Sequence, residues 1–80
     1  MTGTEIALKW VESQIDKQFD YLTYQNSIMS FASNYTSKFY RIDSWDRYLR
    51  FALEKVNRGL TPFTVKEVEN KNKTWQVQIL

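Results

Sequence analysis

Apolar residues recur at helical spacing in the middle of the chain, where Trp45, Leu49, Ala52, Leu53, Val56 and Leu60 make one stripe. The spacing predicts an amphipathic helix over residues 43–59. Asp43 or Ser44 caps its start, since either side chain accepts from the free N–H groups of a first turn. Gly59 marks its exit, because a left-handed residue ends a helix at little cost when it is glycine. Arg47, Arg50, Glu54 and Arg58 fall on the opposite side. One face is built for burial and the other is mostly cationic.

The pattern before this helix predicts two shorter ones. Residues 4–15 carry a stripe of Ala7, Leu8, Val11 and Ile15, widened by Trp10, with Thr4 as cap. Glu5, Lys9, Glu12 and Asp16 take the wet side, and Glu5–Lys9 has the favourable acid-before-base spacing. Phe19 and Tyr21 alternate within residues 18–23, which suits a short extended piece paired with a later strand. An unbroken helix over 4–24 is the competing possibility. Thr23 then caps a second helix over 24–33, burying Ile28, Met29, Phe31 and Ala32. Residues 33–37 are polar and form a turn. Tyr35, Phe39 and Tyr40 follow in a polar connector. They are expected to be buried in so small a core, and exposure there would mark a protein interface.

After Gly59 the period changes from helical to alternating. Thr61-Pro62 ends any helix, because proline lacks the N–H and restrains its predecessor. Residues 63–69 and 74–80 are rich in strand formers and flank a polar turn at 70–73, a β-hairpin pattern. Trp75, Val77 and Ile79 share a face. Phe63 and Val65 do too, but Val68 breaks the alternation and predicts a bulge near 66–68. Trp10, Trp45 and Trp75 are assigned to packing and not to base stacking.

Eighty residues make one domain, and three Trp, five Tyr and five Phe must supply much of its thin core. The absence of cysteine excludes disulfides and thiolate metal sites. With no histidine, scattered carboxylates and two glycines, the chain lacks the usual general base, paired acids and phosphate-cradling loop. No enzymatic activity, cofactor, metal or small-molecule substrate is expected. No apolar run approaches membrane-spanning length, and no basic region precedes an apolar one at the start. A soluble cytoplasmic protein without a membrane partner is the expectation.

The net charge is +2 but unevenly spread. Residues 1–37 hold two basic and four acidic groups, whereas residues 38–80 hold nine basic and five acidic. The basic half contains the long helix and the hairpin, and it hints at a polyanionic partner. The bland alternatives are a solvated face, with Arg47, Arg50 and Arg58 paired to Glu54 or Asp46, and ordinary turn lysines at 71 and 73.

The order of elements is helix, short strand, helix, turn, cationic helix, hairpin. With the run Ser44-Trp45-Asp46-Arg47-Tyr48-Leu49-Arg50, the Gly59-Leu60 exit, the strand from Val65, the tip Asn70-Lys71-Asn72-Lys73 and the return Thr74-Trp75-Gln76-Val77, it resembles the winged helix-turn-helix family. That family includes small prokaryotic and phage-type regulators. The resemblance covers nearly the whole chain. It implies an α+β fold, a three-helix bundle with a C-terminal β-hairpin, over residues 1–80. It also implies a regulatory double-stranded DNA-binding protein. Ser44, Arg47 and Arg50 would then face the major groove, and Tyr48 would reach a phosphate. Lys38 and Arg41 before the helix, and Lys71 and Lys73 at the wing tip, would contact the backbone. The chain departs from the family in its long turn over 33–42, in Asp43, Asp46 and Glu54 beside the reading surface, and in its low net charge. These departures suit a second possibility, a protein-interaction module or inhibitor on the same fold. A third is a homodimer joined through residues 35–40 or the first helix.

Overall fold

Thr2 opens the first helix. Its hydroxyl accepts from the Glu5 N–H at 3.1 Å while its own N–H donates to the Glu5 carboxylate at 2.9 Å. This reciprocal pair satisfies two free donors at once. The computed structural model describes residues 1–68 and 74–80, and in it helix α1 runs Gly3–Glu12. It therefore starts ahead of the expected Thr4 cap, because the acid that closes the box stands three residues after Thr2. It buries Ile6, Ala7, Trp10 and Val11.

Past α1 the chain crosses a left-handed residue, Asp16, with φ of 68°. Aspartate tolerates this conformation better than most side chains. The Asp16 N–H donates to the Val77 carbonyl at 2.8 Å, and the Val77 N–H donates to the Lys17 carbonyl at 3.1 Å. Strand β1 (Gln18–Asp20) follows, shorter than the extended piece expected over 18–23 because Tyr21 already opens the next helix, and the unbroken helix over 4–24 does not form. Helix α2 spans Tyr21–Ala32. Its cap is Asp20 and not Thr23: the Asp20 carboxylate accepts from the Thr23 N–H at 2.8 Å, so the helix begins three residues earlier. Tyr24, Ile28 and Ala32 are buried, Phe31 is half-buried, and Met29 is exposed.

Helix α3 spans Ile42–Asn57 and buries Trp45, Leu49, Ala52 and Val56, with Leu53 half-buried. Neither Asp43 nor Ser44 is its cap. The cap position is Arg41, without a side-chain hydrogen bond, and the Asp43 carboxylate instead accepts from the Ser44 N–H within the first turn. The exit follows expectation, with Gly59 at φ of 76°. The Gly59 N–H donates to Val56 and the Leu60 N–H to Lys55, which closes the last free carbonyls. That left-handed step carries Leu60 out of the stripe, and it is exposed.

Strands β2 (Phe63–Val68) and β3 (Thr74–Ile79) form an antiparallel pair, and β1 adds to the other side of β3 in the order β1-β3-β2. Pairing runs unbroken from Phe63 opposite Ile79 to Val68 opposite Thr74, so the bulge expected near 66–68 is absent. Val68 takes the face away from Phe63 and Val65. Glu67 shares their face yet is exposed, so no reversal of the strand is required. Phe63, Trp75 and Val77 are buried and Ile79 is exposed. The result is an α+β domain of three helices and a three-stranded antiparallel sheet.

Aromatic rings join the layers. Trp10 of α1 meets Phe19 of β1 and Tyr24 of α2 edge-on, with centroids 4.9 and 5.0 Å apart. Trp75 of β3 meets Phe19 and Tyr21, both at 5.2 Å. Tyr40, Trp45 and Tyr48 form a second group, mutually edge-on at 5.3 to 5.4 Å. Edge-on pairs bring the positive rim of one ring to the negative face of another.

Gly3 lies beneath the Tyr48 ring, where a Cβ would overlap it. Gly3→Ala is expected to destabilise the domain by ~1–3 kcal/mol, the cost of overpacking a filled site, measured by urea unfolding. Stability should also fall at both ends of the pH scale. The Thr2 N–H holds the Glu5 carboxyl below its usual range, and the Thr23 N–H does the same for Asp20. Their contribution is present above the ordinary carboxylate values and is lost as pH drops through the lowered ones. Glu5→Gln with Asp20→Asn should therefore flatten the acid limb. Burial, aided by the Asp46 charge, pushes the Tyr24 phenol well above its usual value near 10. The unfolded chain then loses this proton first, so stability falls as pH rises past 10, and Tyr24→Phe should reduce that fall.

Candidate functional site

The burial of Trp45, Leu49, Ala52 and Val56 fixes how α3 is turned, so Asp43, Arg47, Arg50, Phe51, Glu54 and Arg58 are all left exposed. The acids near this face are each matched locally. The Glu54 carboxylate accepts from the Arg58 guanidinium at 2.6 Å. Asp43 lies 4.0 Å from Arg41. Asp46 is half-buried, and both of its carboxylate oxygens accept from the Gln25 amide of α2 at 3.0 Å. Among the described residues, Arg47 and Arg50 have no ion pair. The bland pairing therefore holds for Arg58 and not for these two. Such exposed pairs add little stability, ~0.3–0.5 kcal/mol at this spacing. Their consequence is the charge left over, which is positive.

The remaining expected contact residues are only partly gathered. Lys38 and Arg41 are exposed on the approach to α3, and the Arg41 side chain retains 84% of its accessible surface. Ser44 is half-buried in the first turn. Tyr48 is half-buried too, but its ring is committed to Gly3, Tyr40 and Trp45, on the flank turned toward α1 and the connector. It does not share the open face with Arg47 and Arg50. Lys71 and Lys73 lie outside the described residues.

α3 is held in this pose from behind. The Tyr24 hydroxyl donates to the Trp45 carbonyl at 2.5 Å. The Trp10 indole N–H donates to the Ser27 hydroxyl at 3.0 Å, and that hydroxyl donates on to the Thr23 carbonyl at 2.7 Å. All three tryptophans are buried, as packing residues should be. Neither the Gln25–Asp46 link nor the Tyr24–Trp45 bond was legible beforehand, since each joins residues 21 apart in sequence. The available sign was the position of Asp46 at the edge of the apolar stripe, one turn before Leu49 and Arg50.

The connector contradicts expectation. Phe39 is 81% exposed and Tyr35 is exposed, while Tyr40 alone of the three turns inward. Beside Phe39 is a cleft of about 310 Å³ floored by Trp45 and edged by Met29, Thr36 and Lys38. The connector has too few apolar neighbours to cover every ring, and Tyr40 occupies the place beside Trp45 and Tyr48.

Among the described residues, no cluster of His, Cys, Asp or Glu is placed to hold a metal ion, and no helix is long and apolar enough to cross a membrane. Comparisons with protein-family models, with curated proteins and with solved structures found no match to this chain.

Proposed function

We propose that this chain is a non-catalytic, regulatory double-stranded DNA-binding protein of winged-helix type, with α3 in the major groove and the β2–β3 hairpin as its wing. The observation that carries the reading is the Arg47–Arg50 couple on the outward face of α3, which has no ion pair among the described residues, beside acids that have other partners. A guanidinium fork suits the O6 and N7 acceptors of guanine, or a phosphate. The element order and the β1-β3-β2 sheet agree with the winged arrangement. Lys38 and Arg41 would grip phosphate on the approach, and Lys71 and Lys73, which follow β2 in sequence, would add phosphate contacts. Ser44 would contact the duplex near the start of α3. Tyr48 would serve by bracing the helix from behind.

A second reading is favoured by Phe39. Its 81% exposure next to a cleft suits a protein-interaction module or inhibitor. Phe39→Ala should change DNA affinity far less than the Arg47 and Arg50 substitutions if DNA is the partner, because a phenyl ring brings no cation to a phosphate.

Fluorescence anisotropy against a mixed-sequence duplex, titrated with salt, tests the proposal. Binding should weaken steeply as salt rises, since cations on phosphate release counterions. Arg47→Ala with Arg50→Ala should reduce affinity by at least about tenfold with an unchanged circular dichroism spectrum. Absence of binding at low salt would overturn the DNA reading.

A further inference from the structure

Phe51 lies outside the buried core, on the outward side of α3 beside Arg47. It is 47% exposed, and unlike Tyr48 and Leu53 it does not pack against the core. Its ring borders an open cleft of about 410 Å³ shared with Thr2 and Thr4 at the start of α1, Lys55 and the Glu54–Arg58 pair. It follows Arg50 directly and lies four residues after Arg47, so it shares the Arg47 row of the helix surface. A large, half-exposed apolar ring one helical turn from Arg47 is a poor choice for a merely solvated face.

Resting on the DNA reading above, we infer that Phe51 is a specificity-determining residue that reads the 5-methyl group of a thymine. The chemistry is selective. In the major groove, adenine, guanine and cytosine offer donors and acceptors, and thymine alone adds an apolar methyl. Phe51 has nothing to donate or accept, so contact with a polar base edge would strip water from that edge without replacing its hydrogen bonds. Contact with the methyl removes apolar surface from both sides. Four helical residues advance only ~6 Å along α3, so the two side chains would reach base edges close together. The preferred site therefore holds a guanine for Arg47 and, within a few base pairs of it, a thymine for Phe51.

The test is to select a preferred duplex from a randomised pool with the full chain, then to replace each thymine singly by deoxyuridine, which removes only the methyl. One thymine should be sensitive, with affinity falling roughly fourfold, the equivalent of exposing one buried methyl group. In Phe51→Ala the same replacement should have no effect, whereas Phe51→Leu should retain most of the sensitivity. A role confined to folding would not produce this dependence on a group in the DNA. If no thymine is sensitive, or if Phe51→Ala remains equally sensitive, while binding still depends on salt and on Arg47 and Arg50, the Phe51 assignment is overturned and the DNA reading stands. If no duplex is bound at low salt, both are overturned.

Discussion

One buried phenol holds the two halves of the core together. The Tyr24 hydroxyl reaches the Trp45 carbonyl, and its ring packs edge-on against Trp10. Trp10 and Phe19 lead to the sheet through Trp75. Trp45 leads to Tyr40 and Tyr48, and through Tyr48 to Gly3. The bond itself contributes on the order of 1 kcal/mol. Its larger effect is geometric, since it sets the position of the first turns of α3 against α2. α3 is also held along α1, where Tyr48 covers Gly3, and against β2, so the Tyr24 bond sets the angle of a helix that those contacts keep in the core.

The inner face of α3 was legible from sequence because a charged opposite side leaves a helix one way to face. Trp45, Leu49, Ala52 and Val56 are buried where their spacing puts them. Helix starts were less legible, and for a shared reason. Thr2 and Thr4 are both capable caps, as are Asp20 and Thr23. What decides is the acceptor that finds an N–H three residues ahead, supported in α1 by Glu5 reaching back. At α3 the first turn is served from inside by Asp43, so the usual cap signal stood one turn position too late. The expected bulge rested on Val68 having to reach the core. It does not, because Glu67 takes the core-side position at that end of the strand and remains exposed.

The candidate site was legible in its outline and not in its charge balance. Spacing alone sends Arg47 and Arg50 outward. It cannot say whether Asp46, Asp43 and Glu54 neutralise them. Glu54 pairs with Arg58 along the helix, a local contact that spacing allows for. Asp46 is matched by Gln25 across a helix interface. A neutral amide there satisfies the carboxylate's acceptors without drawing a guanidinium from the outward face. Residue type alone does not decide the burial of Phe39: the place next to Trp45 and Tyr48 is filled by Tyr40, and Phe39 stays in water.

Stability and recognition are thus divided between the two sides of one helix. Trp45, Leu49, Ala52 and Val56 carry α3 into the core, and Tyr48 braces its flank. Arg47, Arg50 and Phe51 lie outside the buried core. Substitutions at surface positions of this kind usually change stability by less than about 0.5 kcal/mol. A large loss of binding on changing any of the three would therefore report on contact with a partner. The same division explains how a short chain can keep two guanidinium groups and a phenyl ring in water. Each would be a liability on a core-facing row, and on the outward row none of them weakens the aromatic network that holds α3 in place.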